Sequence, residues 1–156
     1  VALDLLRPAS PLEELSLWFH DAIHTNTPGT DEHRSADLAA TLLPAAGLGA
    51  ADTAEVVRLV LVTIDHRPTA GDLPGARVSD ADLAILAAEP PRYRASVQAL
   101  RAECPDLSED AWRASRRARI AAFDQLHPLF HTRVGHAEWE GPARANLAAE
   151  LALIAG

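Results

Sequence analysis

Helix start signals recur along this chain, and no pair of segments has the alternating pattern of neighbouring strands. Ser10-Pro11-Leu12-Glu13 forms a capping box with proline at the first helical position, and apolar residues follow at helical spacing. We therefore expect a first helix over about residues 11–24. Comparable signals predict further helix starts at Thr30 or Asp31, Ser79, Pro90, Ser108 and Gly141.

The segment VVRLVLVTI at residues 56–64 fits two kinds of secondary structure. Its β-branched residues favour a strand by propensity. Asp52 and Glu55 have capping spacing, however, and no second segment resembles a partner strand, so we predict a buried helix. A proline- and glycine-containing loop is expected over residues 67–78. The predicted fold class is all-α, with about seven helices.

Length and composition predict one domain over residues 1–156, because 48% apolar residues in 156 suffice for one core. The single cysteine, Cys104, has no partner for a disulfide, which indicates a reducing compartment and hence the cytoplasm. The sequence contains no apolar run of membrane-spanning length and no signal-peptide pattern, so we expect no membrane partner.

The charged residues restrict the classes of function. A net charge of −8 argues against general nucleic-acid binding, although a small phosphate ester in a local pocket remains compatible with it. All fourteen basic residues are arginine, which excludes lysine Schiff bases and the P-loop lysine from this chain.

WFHDAIH at residues 18–24 places His20 and Asp21 side by side near the end of the first predicted helix. Neighbouring helical side chains differ by about 100° around the axis, so they converge most easily near a helix end. The negative end of the helix dipole there favours a bound cation. The alternative is a histidine that only forms a hydrogen bond at the edge of the core.

Several stretches in order resemble the HD superfamily of metal-dependent phosphohydrolases, and most closely its small bacterial branch with a WFHDAVY-like segment. The stretches are LWFHDAIH, DEHRSADLAATLL, VVRLVLVTIDH, SDADLAIL and GPARANLAAELALI. The resemblance implies an all-helical, HD-domain-like bundle. It also implies a divalent metal ion, one of Mn, Mg, Fe, Co, Ni or Zn, held by an upstream histidine, an adjacent His-Asp pair and a later aspartate.

Carried over to this sequence, the metal ligands are His20, Asp21 and Asp82. Asp80 is the rival for the last ligand, and its other explanation is capping of a helix N-terminus. No histidine precedes His20. The first ligand is therefore expected upstream of Val1, in a missing N-terminal part of the domain, or has been lost.

The resemblance gives roles to Glu32 and His66, and Arg34 is added because it lies close to Glu32 in the sequence. Glu32 would orient or deprotonate a metal-bound water, although an acid in a first helical turn is also favoured by the helix dipole. His66 would bind a second metal or donate to a phosphate oxygen, or else it is an ordinary histidine at a helix C-terminus. Arg34 is the preferred phosphate contact.

The resulting hypothesis is hydrolysis of a phosphate ester by metal-activated water, with a nucleotide or another small phosphorylated metabolite as the substrate. The alternative is a non-catalytic HD-like module that binds a small ligand or a partner protein. Apolar helix faces leave a homodimer open.

Overall fold

The computed structural model describes residue 6 and residues 10–25, 27 and 29–155, and all regular secondary structure within them is helical. The predicted all-α class is therefore confirmed. The seven α-helices of this described part are α1 (Pro11–Phe19), α2 (Thr30–Ala45), α3 (Ala50–Val62), α4 (Leu73–Leu83), α5 (Pro90–Ala102), α6 (Glu109–Asp124) and α7 (Glu140–Ala155). A 3-10 turn (Ala84–Ala87) follows α4, and a π-helical turn (Gly135–Trp139) precedes α7.

The chain divides into two compact units, unit 1 (Val1–Asp82) and unit 2 (Leu83–Gly156). The prediction of one domain over residues 1–156 stays a prediction. Each described helix is too short or too polar to cross a lipid bilayer.

Unit 1 is built on α2 and α3, which pack through small and β-branched side chains. Ala36 and Ala39 of α2 face Val56 and Val60 of α3, and all four are buried. α1 adds partly buried apolar side chains, among them Phe19, to the same cluster. The predicted helix over residues 56–64 is therefore confirmed, since burial of these valines outweighs their strand propensity.

α1 is shorter than predicted, because the chain turns away after Phe19. The His20 N–H still bonds to the Ser16 carbonyl at 2.8 Å. Beyond it, the Ile23 N–H donates to the Ser35 hydroxyl at 2.9 Å, which ties this segment to α2. His20 and Asp21 therefore lie in the turn that follows α1, and the predicted helical end at residue 24 is wrong.

The helix that carries Asp82 starts earlier than predicted. α4 begins at Leu73, and the Asp72 carboxylate caps it by accepting the Gly75 N–H at 3.0 Å. Arg58 of α3 holds that carboxylate at 2.6 Å. The predicted loop is therefore confirmed over residues 67–72 but wrong over residues 73–78, which are helical, and the predicted cap at Ser79 is wrong. Asp80 lies in the middle of α4 as well, so it does not cap a helix.

The other helix starts lie at or close to their predicted positions. α2 begins at Thr30, where the Glu32 carboxylate accepts the Gly29 N–H at 2.6 Å. α5 begins at Pro90, and Ser108 caps α6 by accepting the Ala111 N–H at 3.2 Å. Local capping chemistry therefore determines most of the helix starts.

Unit 2 has a core of larger side chains, together with a buried ion pair. Leu129 and Phe130 have no exposed surface. Arg116 of α6 donates to Glu150 of α7 at 2.7 and 3.0 Å, and the Tyr93 hydroxyl of α5 donates to the same carboxylate. Three helices of unit 2 are thereby joined by one satisfied polar network.

A histidine–aspartate cluster as the candidate functional site

Two histidines from separate segments of unit 1 face the carboxylate of Asp82. His20 Nε2 lies 3.1 Å from Asp82 Oδ1, and His66 Nε2 lies 3.8 Å from Asp82 Oδ2. His20 follows α1, His66 follows α3, and Asp82 lies in the last turn of α4. We call His20, His66 and Asp82 the Asp82 cluster. Each carboxylate oxygen has a different imidazole as its neighbour.

The imidazole of His20 is held by the helix that precedes it. Its Nδ1 lies 2.8 Å from the Leu17 carbonyl oxygen. Since a carbonyl can only accept, Nδ1 carries a proton and donates it. The other ring nitrogen, Nε2, is therefore the one that meets Asp82. One quarter of the side-chain surface of His20, and of Asp82, remains exposed, so the pair is accessible from solvent.

His66 is buried and adopts an unusual backbone conformation. Its φ angle is 54°, in the left-handed region that residues other than glycine rarely enter. Its N–H bonds to the Val62 carbonyl at 3.0 Å and closes the turn after α3. Its Nδ1 forms a hydrogen bond of 3.3 Å with the Ser79 hydroxyl. The left-handed turn thus accompanies a histidine whose ring is held through Nδ1 by Ser79.

The protonation of His20 follows from its surroundings. Burial disfavours the charged imidazolium, but the hydrogen bond and the negative charge of Asp82 outweigh it. With smaller contributions from the Leu17 carbonyl and Asp21, they raise the pKa of His20 to about 9. At neutral pH, His20 and Asp82 therefore form a charged pair.

Asp21 pairs with another histidine. Its Oδ1 lies 2.8 Å from His24 Nδ1, and both side chains are substantially exposed. Of the three residues that the resemblance implies as metal ligands, the structure brings His20 and Asp82 together and leaves Asp21 paired with His24. Only the i, i+3 spacing of the two residues could have indicated this pair, because the pair depends on the turn after α1.

The other predicted site residues lie in different environments. Asp80 is fully buried within α4, whereas Asp82 is the aspartate that meets two imidazoles. Glu32 caps the start of α2 through the Gly29 N–H, which is the structural explanation left open for it. Arg34 is exposed on α2. The hydroxyl of the neighbouring Ser35 accepts the Ile23 N–H, in the segment that follows Asp21.

Ser79 is a residue of the site that the sequence interpretation missed. It is fully buried, and its hydroxyl meets His66 Nδ1. Ser79 and Asp82 are three residues apart, so on a helix they share a face. That spacing would have indicated a common partner if α4 had been predicted to begin before residue 79.

The cluster matches a metal ion in donor type but not as a complete ligand set. Both histidines are held through Nδ1 and direct Nε2 at the carboxylate, an arrangement typical of metal-binding histidines. Two ligand atoms that each lie about 2.1 Å from one ion stand roughly 3 Å apart, as His20 Nε2 and Asp82 Oδ1 do. Within the described part of the chain, no three His, Cys, Asp or Glu side chains are placed to hold a metal ion together.

Comparisons of the chain with protein-family models, curated proteins and solved structures found no match. The resemblance to the HD superfamily therefore rests on the order of its sequence motifs and stays a prediction.

Proposed function

We propose that unit 1 hydrolyses a phosphate ester in a metal-dependent reaction at the Asp82 cluster. The observation that carries the proposal is the convergence of His20 and His66 on the two oxygens of Asp82. The HD resemblance implies His20, Asp21 and Asp82 as ligands and a role in metal or phosphate binding for His66, and the nearness of both histidines to Asp82 supports the proposal. The substrate class, a nucleotide or another small phosphorylated metabolite, comes from the resemblance.

His20 and Asp82 would hold the divalent ion, Mn, Mg, Fe, Co, Ni or Zn, and His66 is the candidate for a third position. Such an ion would supply a water of lowered pKa and would stabilise charge on phosphoryl oxygens. His20 must give up the proton that it shares with Asp82 before its Nε2 can act as a ligand. Occupancy should therefore fall as the pH falls below about 9, the pKa of His20.

The charge of unit 1 supports a requirement for a cation. Unit 1 contains five arginines and thirteen acidic residues. Two of these arginines are already paired, Arg58 with Glu55 and Asp72, and Arg77 with Glu13. A phosphate ester would meet net repulsion there unless positive charge is supplied. Arg34, which is exposed on α2, is the proposed phosphate contact, and Glu32 is the proposed proton acceptor.

Metal analysis and phosphatase assays of the full-length protein test this function. We expect the wild type to retain a divalent ion and to hydrolyse p-nitrophenyl phosphate, its bis-ester or a nucleotide. Asp82→Asn should lose both properties. Asp37→Asn, which alters an exposed acid of α2 outside the cluster, is the matched control and should keep both. His20→Ala should lose the ion and keep its helical circular dichroism.

A second candidate is a non-catalytic HD-like module that binds a small ligand or a partner protein. The observation that favours it is the incomplete ligand set among the described residues. A metal-replete full-length protein that is inert towards a broad panel of nucleotides would contradict hydrolysis and support this module.

A further inference from the structure

A cavity of about 360 Å³ lies wholly among residues of unit 2 and takes no part in the proposed hydrolysis. α5 and α7 form its sides, and Trp112 of α6 contributes to its lining. The volume falls within the range in which proteins bind small organic molecules, about 300–1,000 Å³. Val97 and Ile154, which are partly buried, give it an apolar wall, and Leu153, which also lines it, is largely exposed.

The polar groups inside the cavity already satisfy one another. Glu150 accepts two hydrogen bonds from Arg116 and one from the Tyr93 hydroxyl. The arginine neutralises the carboxylate. Asn146 donates to the Leu86 and Ala88 carbonyls, both at 2.8 Å. The interior therefore presents little uncompensated charge to a ligand.

The rim of the cavity differs from its interior, because it carries a positive charge. Arg94 and Gln98 lie four residues apart on α5, so they share a helix face, and both are exposed. In the described part of unit 2, no acidic side chain forms an ion pair with Arg94. An apolar cavity thus has one cation and one amide at its rim.

We propose that this cavity binds a small apolar monoanion, specifically a carboxylate on an alkyl or aryl body. The body lies against Val97, Trp112 and Leu153, where burial of apolar surface favours binding. The carboxylate pairs with the Arg94 guanidinium and accepts from the Gln98 amide. An ammonium group at the same position would be repelled by Arg94. A neutral group at that position would form no ion pair with Arg94.

Calorimetric titration with three eight-carbon probes tests the head group. We expect octanoate to bind the wild type more tightly than 1-octanol, and octylammonium to bind least. Arg94→Gln should weaken octanoate binding by about fivefold, the size expected for an exposed ion pair, and leave 1-octanol unchanged. Arg92→Gln is the matched control, since Arg92 is exposed on the same helix and does not line the cavity. It should change octanoate binding by less than about twofold.

A second pair of variants tests the location. Ala149 lines the cavity and is exposed, so Ala149→Phe should fill the space without disturbing the core and should abolish binding of octanoate and 1-octanol. Ala148 immediately precedes Ala149 in α7 and does not line the cavity, so Ala148→Phe should bind both probes as the wild type does. Failure of the wild type to bind octanoate at millimolar concentration would overturn the proposal. So would octanoate binding that survives Ala149→Phe, or equal binding of all three probes.

Discussion

Unit 1 and unit 2 differ in their balance of acidic and basic residues. Unit 1 has thirteen acidic residues against five arginines, whereas unit 2 has nine of each. In unit 2 the buried Arg116 and Glu150 neutralise each other within one network. In unit 1 the charges of the Asp82 cluster are partly exposed, and two imidazoles share one carboxylate.

The two hydrophobic cores also differ, in the size of their side chains. The buried cluster of unit 1 consists of alanine, valine and leucine side chains, whereas that of unit 2 also includes Tyr93, Phe123 and Phe130. Large apolar side chains contribute more burial free energy per residue. We infer that unit 2 relies on packing for its stability, and that unit 1 gathers titratable groups at the Asp82 cluster, where the proposed function would use them.

The largest expected effect tests this difference in packing. Phe130 has no exposed surface and packs edge-on against Trp139, with ring centroids 5.6 Å apart. Phe130→Ala should lower the free energy of unfolding by about 4 kcal/mol, and Val56→Ala in unit 1 by about 2 kcal/mol. Urea denaturation measures both. Equal losses would show that the two cores contribute alike.

The next effect compares a buried ion pair with an accessible one. Glu150→Gln leaves the Arg116 guanidinium buried without a countercharge, and should cost about 3 kcal/mol of unfolding free energy at pH 7. Asp82→Asn should cost less than Glu150→Gln, because His20 is partly exposed and can release its proton. Urea denaturation of the metal-free protein gives both values. A larger loss for Asp82→Asn would assign the Asp82 cluster a structural role.

A smaller effect concerns the pH dependence of the Asp82 cluster. Removing the Asp82 charge leaves the burial of His20 in place, so Asp82→Asn should lower the pKa of His20 from about 9 to its ordinary value of 6.5 or below it. Because the pKa of His20 is higher in the folded protein than in the unfolded chain, the pair stabilises the fold fully below about pH 6.5. This stabilisation is lost as the pH rises through about 9. The stability advantage of the wild type over Asp82→Asn should therefore vanish across that interval.

Proton NMR titration of the metal-free protein measures the pKa of His20 directly. Asp21→Asn is the control, since Asp21 makes the smallest of the contributions that raise this pKa. Its effect should be much smaller than that of Asp82→Asn. An unchanged His20 titration in Asp82→Asn would contradict the pairing.

Helix starts that depend on neighbouring residues could be predicted from the sequence, whereas a start that depends on a distant contact could not. The starts of α2 and α5 were predictable because capping residues and proline act within one turn. The start of α4 was missed, because the carboxylate that caps it is Asp72, inside a segment with loop composition, and Arg58 of α3 holds it. Local composition cannot show that contact.

The same distinction applies to the Asp82 cluster. The order of the sequence motifs predicted that His20 and Asp82 belong together, and the structure places them 3.1 Å apart. The contact of Ser79 with His66 depends on the left-handed turn at His66, which periodicity does not indicate. Asp21 was assigned to the site by the HD resemblance, whereas the turn after α1 pairs it with His24.

The smallest expected effect distinguishes a serine that positions an imidazole, in unit 1, from a serine that contributes only stability, in unit 2. Ser79→Ala removes the hydroxyl at His66 Nδ1, and Ser96→Ala removes one in unit 2 that donates to the Tyr93 carbonyl at 2.7 Å. Each should cost about 1 kcal/mol or less of unfolding free energy, the usual size for one hydrogen bond. Only Ser79→Ala should change the nitrogen chemical shifts of the His66 imidazole, because only that hydroxyl contacts an imidazole ring. Unchanged shifts would show that the packing around the buried ring, and not the serine, sets the direction of His66 towards Asp82.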